Sequence, residues 1–278
     1  MDSQLCGELA SAPARRVICV LGWLNIADMI ERKDTDGIRV LKLAHGKVSA
    51  MDIELAEAFT REIADAVSAP IKAVIVTGTG SAFSAGVDLF RVVNDGAEYG
   101  RRFLPVLDKF LRAALTFPKP MVAAINGHAI AGGCILAAAC DHRIMVEGNG
   151  RIGIPELAVG VPFPALPLQI MSARLADGAL RDLAFSGRTV QIDEAKALGL
   201  IDEKCPSGML LDRATEVAER LAAIPAGAFA LTKEAFYTPI LERTKQLAGL
   251  NARVVDAWMQ QHTYDTIRAY LDRTIPKK

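Results

Sequence analysis

The stretch Met121-Val122-Ala123-Ala124-Ile125-Asn126-Gly127-His128-Ala129-Ile130-Ala131-Gly132-Gly133-Cys134 decides how this chain is read. Met121 to Ile125 is an unbroken apolar run of strand length, as expected of a strand buried on both faces of a parallel sheet. Asn126-Gly127 closes it. Gly132-Gly133 then opens a run of small apolar residues through Cys140, the composition of a buried helix packed closely on its neighbours. Strand, glycine-rich turn and helix in that order leave free N–H groups at a helix start, where the dipole favours a negative oxygen. The glycine pair also answers a plainer need, tight packing of helix on strand.

Upstream, the theme recurs. Ala73-Val74-Ile75-Val76-Thr77 is another continuous apolar run, punctuated by Gly78-Thr79-Gly80 and followed by Phe83-Ser84-Ala85-Gly86-Val87-Asp88. Val87 is a candidate for a second amide. Two amides aimed at one point make an oxyanion hole, and losing one such donor costs on the order of 10²–10³ in rate. Downstream, Glu156 stands between Pro155 and the apolar Leu157-Ala158-Val159-Gly160-Val161. A carboxyl in apolar surroundings has a raised pKa and serves as a base near neutral pH. A helix-start glutamate after proline is the competing explanation. The three segments together suit chemistry through a stabilised enolate.

Nucleotide-binding readings fail on spacing. Gly80 to Gly86 lacks the Walker pattern, with Val87 where lysine is required. Gly78-Thr79-Gly80 lacks the third glycine of a dinucleotide fingerprint. Ser84 has Ala82 two residues before it, so it is no G-x-S-x-G elbow and reads as a turn or capping residue.

Strand and helix signals alternate from about residue 38 to 205, which argues for an α/β domain of repeated crossover units. Arg39 to Leu43 reads as a strand and Ile53 to Val67 as a helix with one apolar face. A helix is expected near Gly100 to Thr116, ended by Pro118 and Pro120. Beyond Pro206, helices are expected over Leu210–Ala222, Ala226–Tyr237, Leu241–Gln261 and Tyr264–Arg273. The expected organisation is an extension over residues 1–34, a core over 35–205 and a helical region over 206–278. That last region serves either as an oligomerisation surface or as a cap on its own domain. Val17 to Ala27 after Arg15-Arg16 resembles a short signal-peptide core without a good cleavage site. Another reading starts the native protein at Met29, leaving residues 1–28 outside it.

The composition is 51% hydrophobic and 23% charged, which fits a globular protein and not a disordered one. Thirty-two basic and 32 acidic residues cancel, so no large field of one sign points to nucleic acid or an anionic membrane. No apolar run is long enough to span a bilayer. The five cysteines and four histidines show no zinc or disulfide spacing. A cytoplasmic protein with no metal is expected.

Four segments carry a resemblance. They are Phe83 to Leu89, Asn126 to Cys134, Cys140-Asp141-His142-Arg143-Ile144, and Ile152-Gly153-Ile154-Pro155-Glu156-Leu157-Ala158-Val159-Gly160. In this order and with these gaps they resemble the crotonase (enoyl-CoA hydratase/isomerase) superfamily over about residues 36–278. The resemblance implies a spiral of ββα units with a C-terminal helical trimerisation region, assembled as a homotrimer or homohexamer. It implies an acyl-CoA thioester substrate, so that coenzyme A arrives with the substrate and no separate cofactor is needed. The catalytic groups it implies are the Val87 and Gly132 amides with Glu156. The substrate-binding residues it implies are Ala85, Val87, Asp88, Leu89, Gly132, Gly133, Ile135, Tyr270 and Arg273, the last two often serving a neighbouring subunit.

Two departures bear on chemistry. Hydratases of this family carry a second glutamate directly after the G-G-C segment, and here that position is Ile135. Adding water needs a group to activate it, and one carboxyl facing an isoleucine does this poorly. Val161-Pro162-Phe163-Pro164-Ala165-Leu166-Pro167 replaces the usual glycine-rich turn, and its prolines fix φ and remove amides. Moving a double bond needs one base and an oxyanion hole. The chain is therefore most similar to monofunctional Δ3,Δ2-enoyl-CoA isomerases, which also carry an apolar residue after A-G-G-C. Hydratase, decarboxylase or thioester hydrolase activity on the same oxyanion hole is the alternative. An inactive acyl-CoA-binding subunit is a second.

Overall fold

The computed structural model describes residues 19–20, 23–26 and 29–274, so the signal-like Val17 to Ala27 stretch lies partly outside them and residues 1–18 lie wholly outside. Two sheets form the frame. In the larger, eight strands run in the order β1 (Cys19–Val20), β2 (Trp23–Ile26), β3 (Ile30–Thr35), β4 (Ile38–Leu43), β5 (Ala73–Thr77), β7 (Met121–Ile125), β9 (His142–Val146) and β12 (Glu203–Cys205). From β4 onward the pairs are parallel. The smaller sheet orders β11 (Thr189–Val190), β10 (Ile152–Gly153), β8 (His128–Ile130) and β6 (Ala82–Ser84).

The chain builds this frame by repetition. One unit is β5, β6 and helix α2 (Leu89–Thr116), the next is β7, β8 and α3 (Gly132–Ala139), and the third is β9, β10 and α4 (Glu156–Val159). Each places its first strand in the large sheet and its second in the small one. The expected spiral of ββα units is what the chain forms. Parallel neighbours lie about 4.8 Å apart, so the strand-to-helix junctions of successive units stack side by side. Asn126 ties two units together: its Oδ1 accepts from the Gly78 N–H at 2.8 Å and its Nδ2 donates to the Gly80 carbonyl at 3.0 Å.

The strands β5 and β7 are wholly buried, as their unbroken apolar runs require. One face packs on α1 (Ile53–Ser68) and α2, with Phe59 and Phe110 in contact at the centre. Past the short helices α5 (Ala165–Ser172), α6 (Asp177–Ser186) and α7 (Ile192–Leu198), the chain lays α8 (Leu210–Ala222) on the other face through Leu210, Ala214, Val217 and Ala218. Helix α8 is therefore integral to the sheet, while α10 (Ala248–Trp258) and α11 (Gln261–Thr274) join the first face through Trp258, Ile267 and Leu271.

Three expected boundaries move. Ile30–Thr35 is a full strand paired with β4, so the sheet starts inside the expected extension. Helix α2 begins at Leu89, eleven residues before Gly100. Asp88 caps it by accepting from the Arg91 N–H at 3.1 Å, and a break at Gly96 (φ 68°, ψ −156°) hides the early turns from a simple period. Helix α9 (Ala226–Gln246) runs through Pro239, and the break comes at Leu247 instead. No helix among the described residues is long and apolar enough to cross a membrane.

Arg39 on β4 is fully buried and bonds to Asp34 at 2.9 Å and Asp65 at 2.8 Å. Removing it takes a fully buried side chain out of the packing and leaves Asp34 and Asp65 with Arg32, at 2.9 and 3.2 Å, as their remaining partner. Arg39→Ala should lower stability by about 2 kcal/mol or more. Arg61→Ala, which touches only Glu57 on the exposed face of α1, should change it by less than about 0.5 kcal/mol. Urea denaturation of the two variants checks this.

Candidate active site

The three residues singled out in the sequence occupy the same place in three successive units. Val87 follows β6, Gly132 follows β8 and Glu156 follows β10, each at the junction of a small-sheet strand with the next helix. The repeat therefore brings them together. At the first junction the Met51 N–H donates to the Gly86 carbonyl at 2.7 Å and the Asp88 N–H to the Met51 carbonyl at 2.9 Å. These bonds pin the chain on both sides of Val87. At the second, the Ala131 N–H donates to the Gly153 carbonyl at 2.8 Å. Ala131 itself sits at φ 50°, ψ −121°, a left-handed conformation costing on the order of 1–3 kcal/mol for a residue with a Cβ. It turns the chain sharply into α3 and leaves Gly132 as the first residue of the helix. Among the described backbone bonds, neither the Val87 nor the Gly132 N–H has an acceptor within the chain.

Glycines set how closely the junctions approach. A Cβ on Gly86 would lie 2.6 Å from the Ile130 carbonyl oxygen and 3.0 Å from the Gly132 nitrogen. A Cβ on Gly132 would sit 3.8 Å from the Val87 nitrogen. The two amides are neighbours across this seam. At the far end of α3, Arg174 donates to the Ala138 and Cys140 carbonyls, both at 2.7 Å. Cations at that end complement the helix dipole whose positive end faces the site.

Glu156 is 7% exposed and its Oε2 has no hydrogen-bond partner among the described residues. Burial pushes its carboxyl up to about 8 from an ordinary 4.5, with its own backbone N–H working in the opposite direction. Folded protein thus holds this proton over a pH window in which the unfolded chain releases it. The stabilising contribution is full below about 4.5 and fades as pH rises toward 8.

All three border one cavity of about 270 Å³, near the lower end of the range for small-molecule sites. Of the remaining expected residues, Ala85, Asp88, Leu89, Ile135 and Tyr270 also line it. Tyr270 does so from α11 of its own chain. Two do not. A Cβ on Gly133 would meet the Ser84 carbonyl oxygen at 2.4 Å, so this glycine serves the packing of α3 on β6. Arg273 lies exposed with its guanidinium 5.8 Å from the Tyr270 ring, outside the lining. Leu107, Leu111 and Trp258 also line the cavity, beyond the residues to which the sequence points. The first two continue the apolar face of α2. Trp258 gives no local signal, because its place depends on how α10 folds back.

A match to the family model described as Enoyl-CoA hydratase/isomerase spans residues 33–277. The chain belongs to the enoyl-CoA hydratase/isomerase family. A Thermus thermophilus protein named, provisionally, as an enoyl-CoA hydratase is 38% identical over 215 residues, 74% of this chain and 83% of its own length. A Mycobacterium tuberculosis protein, named an enoyl-CoA isomerase with one of its structures and a probable enoyl-CoA hydratase with another, superposes in the first with a TM-score of 0.75 at 28% identity, covering 84% of this chain and 98% of that one. Human mitochondrial Δ3-Δ2-enoyl-CoA isomerase superposes with a TM-score of 0.84 over 88% of this chain and 97% of its own, but at 21% identity it bears on the fold alone. The family's enzymes are thus the ones this chain's cavity is to be compared with, and an acyl-CoA substrate is consistent with membership.

The seam is open to direct test. Gly133→Ala should destabilise the protein by about 2 kcal/mol through backbone overlap at Ser84. Ala131→Gly, which relieves the left-handed strain, should be neutral or stabilising by up to about 1 kcal/mol. Thermal melts of both variants check the contrast.

Proposed function

We propose that the protein shifts the double bond of a 3-enoyl-CoA to the 2-position, with Glu156 as the single acid/base. The thioester carbonyl accepts hydrogen bonds from the Val87 and Gly132 amides. Ionised Glu156 removes an α-proton, and negative charge moves onto the oxygen to give a dienolate. Glu156 then returns the proton to the γ-carbon. Its unpartnered Oε2 leaves the carboxyl free to carry that proton, and the apolar surroundings limit exchange with water.

The observation that carries this reading is that Glu156 and the apolar Ile135 line the same cavity. Asp88, another carboxyl bordering the cavity, accepts from the Arg91 N–H and caps α2. No second carboxyl is thus offered beside Glu156 to hold a water for addition. A second reading, hydration of 2-enoyl-CoA, is supported by the name of the Thermus relative. Assembly as a trimer or hexamer belongs to the same proposal and is supported by Leu231 and Phe236, large apolar side chains of α9 exposed at 70% and 76%.

Glu156→Gln should reduce isomerisation of 3-hexenoyl-CoA by about 10³-fold or more, acting on kcat rather than KM. In the parent enzyme kcat/KM should rise with pH and level off above about 8, because only the ionised carboxyl abstracts a proton. Hydration of crotonyl-CoA that exceeds isomerisation and survives Glu156→Gln would contradict the proposal. Installing the missing carboxyl, Ile135→Glu, should raise the ratio of crotonyl-CoA hydration to 3-hexenoyl-CoA isomerisation at least about tenfold. Parallel assays of both reactions measure that ratio.

A further inference from the structure

The cavity has an exposed end and a buried end. At the first stand Val48 and Phe90, exposed at 41% and 50%, near the start of α2. At the other stand Leu107, Leu111, Ile135, Val161, Pro167 and Trp258, all buried. Ile135 lies one helical turn beyond Gly132, so the buried wall begins just past the amide that would hold the carbonyl. A thioester with its large polar headgroup at the exposed end directs its acyl tail into this wall.

Two hydrogen bonds fix the far part of the wall. The Trp258 Nε1–H donates to the Pro162 carbonyl at 2.9 Å, and the Ala165 N–H donates to Asn251 Oδ1 at 2.8 Å. Both bonds run from α10 to the proline-rich segment between Val161 and Pro167, whose φ angles the ring closures already restrict. The indole's one polar atom is thereby used and offers nothing to a ligand. Among the described residues lining the cavity there is no lysine, arginine, histidine, asparagine or glutamine. Its carboxyls are Asp88 and Glu156, and its side-chain hydroxyls, Tyr270 and Thr274, both belong to α11.

We propose that the buried end is a hydrocarbon pocket whose depth is set by Trp258, so that the protein takes acyl-CoA esters with uncharged straight tails and rejects those ending in a carboxylate. A tail carboxylate among Leu107, Leu111, Ile135, Val161, Pro167 and Trp258 would be stripped of water with no free side-chain donor from these six to replace it and with Glu156 on the same cavity. A neutral tail gains from every methylene buried until it meets the indole. The proposal rests on the acyl-CoA reading of the cavity, but on neither isomerase nor hydratase chemistry.

Calorimetric binding to the full chain tests it with non-reacting saturated esters: hexanoyl-, octanoyl-, dodecanoyl- and adipyl-CoA. Hexanoyl- and adipyl-CoA share a six-carbon skeleton and differ in the terminal carboxylate. Adipyl-CoA should bind at least about 100-fold more weakly than hexanoyl-CoA. Trp258→Ala should shift the dodecanoyl-to-hexanoyl affinity ratio toward the longer ester by about tenfold or more. Trp258→Phe, a milder enlargement that keeps an aromatic wall, should shift it the same way by less. Adipyl-CoA binding within threefold of hexanoyl-CoA overturns the proposal without recourse to any variant. So does an unchanged chain-length ratio in a folded Trp258 variant. If no ester binds at all, the acyl-CoA reading beneath it falls as well. Binding with the expected selectivity, but without turnover of 3-hexenoyl-CoA, would retain this pocket and remove only the isomerase proposal.

Discussion

The site depends on one close approach, that of the turn after β6 to the turn after β8. Gly86 and Gly132 face each other across it, and a single Cβ at Gly86 would overlap the Ile130 carbonyl at 2.6 Å. Overlap of that kind forces the backbone apart. Because Val87 and Gly132 project N–H groups from the two sides of this seam, a widening of even an ångström would separate the donors. The strained Ala131 and the Met51 bonds flanking Val87 hold the geometry that the glycines permit. Strain of this sort persists only where the surrounding structure over-determines it, and here a buried helix and two parallel strands do so.

Repetition explains how residues far apart in sequence share a cavity. Each unit contributes its junction to the same edge of the small sheet, so Val87, Gly132 and Glu156 are equivalent positions filled by different chemistry. Two junctions supply peptide N–H groups and the third a carboxyl. The carboxyl carries an energetic consequence. Buried as it is, Glu156 favours the neutral form, and in the proposed reaction ionising it opposes the same desolvation that raises its basicity. A thioester oxygen gathering negative charge at the amides is compatible with that arrangement, because charge leaves the carboxyl as the proton arrives.

Much of this was legible in the sequence, for physical reasons that differ by element. The runs Ala73 to Thr77 and Met121 to Ile125 are strands buried on both faces, and such strands announce themselves without alternation. Gly132-Gly133 marked the start of α3 because a small-residue helix beside a glycine pair has few other uses. The early turns of α2 were less visible, since Gly96 interrupts the period that identifies a helix. The pattern ends a helix at Tyr237, yet α9 runs on through Pro239 to Gln246, an instance of tertiary packing overriding local preference. Gly133 was grouped with substrate-binding positions, yet it answers to the Ser84 carbonyl. Trp258 was missed altogether, because no local pattern tells where a helix folded back from the C-terminal region will place its side chains.

The central claim is that one buried carboxyl both takes and returns the proton beneath a carbonyl held by two amides. 3-Hexenoyl-CoA deuterated at its α-carbon reads this out directly when turned over in ordinary water and the product is analysed by mass spectrometry and NMR. A single shielded acid/base should deliver a measurable share of the label to the γ-carbon of the 2-enoyl product. Complete loss of the label to solvent in every turnover, or product formed without breaking the α-carbon–deuterium bond, would contradict the account.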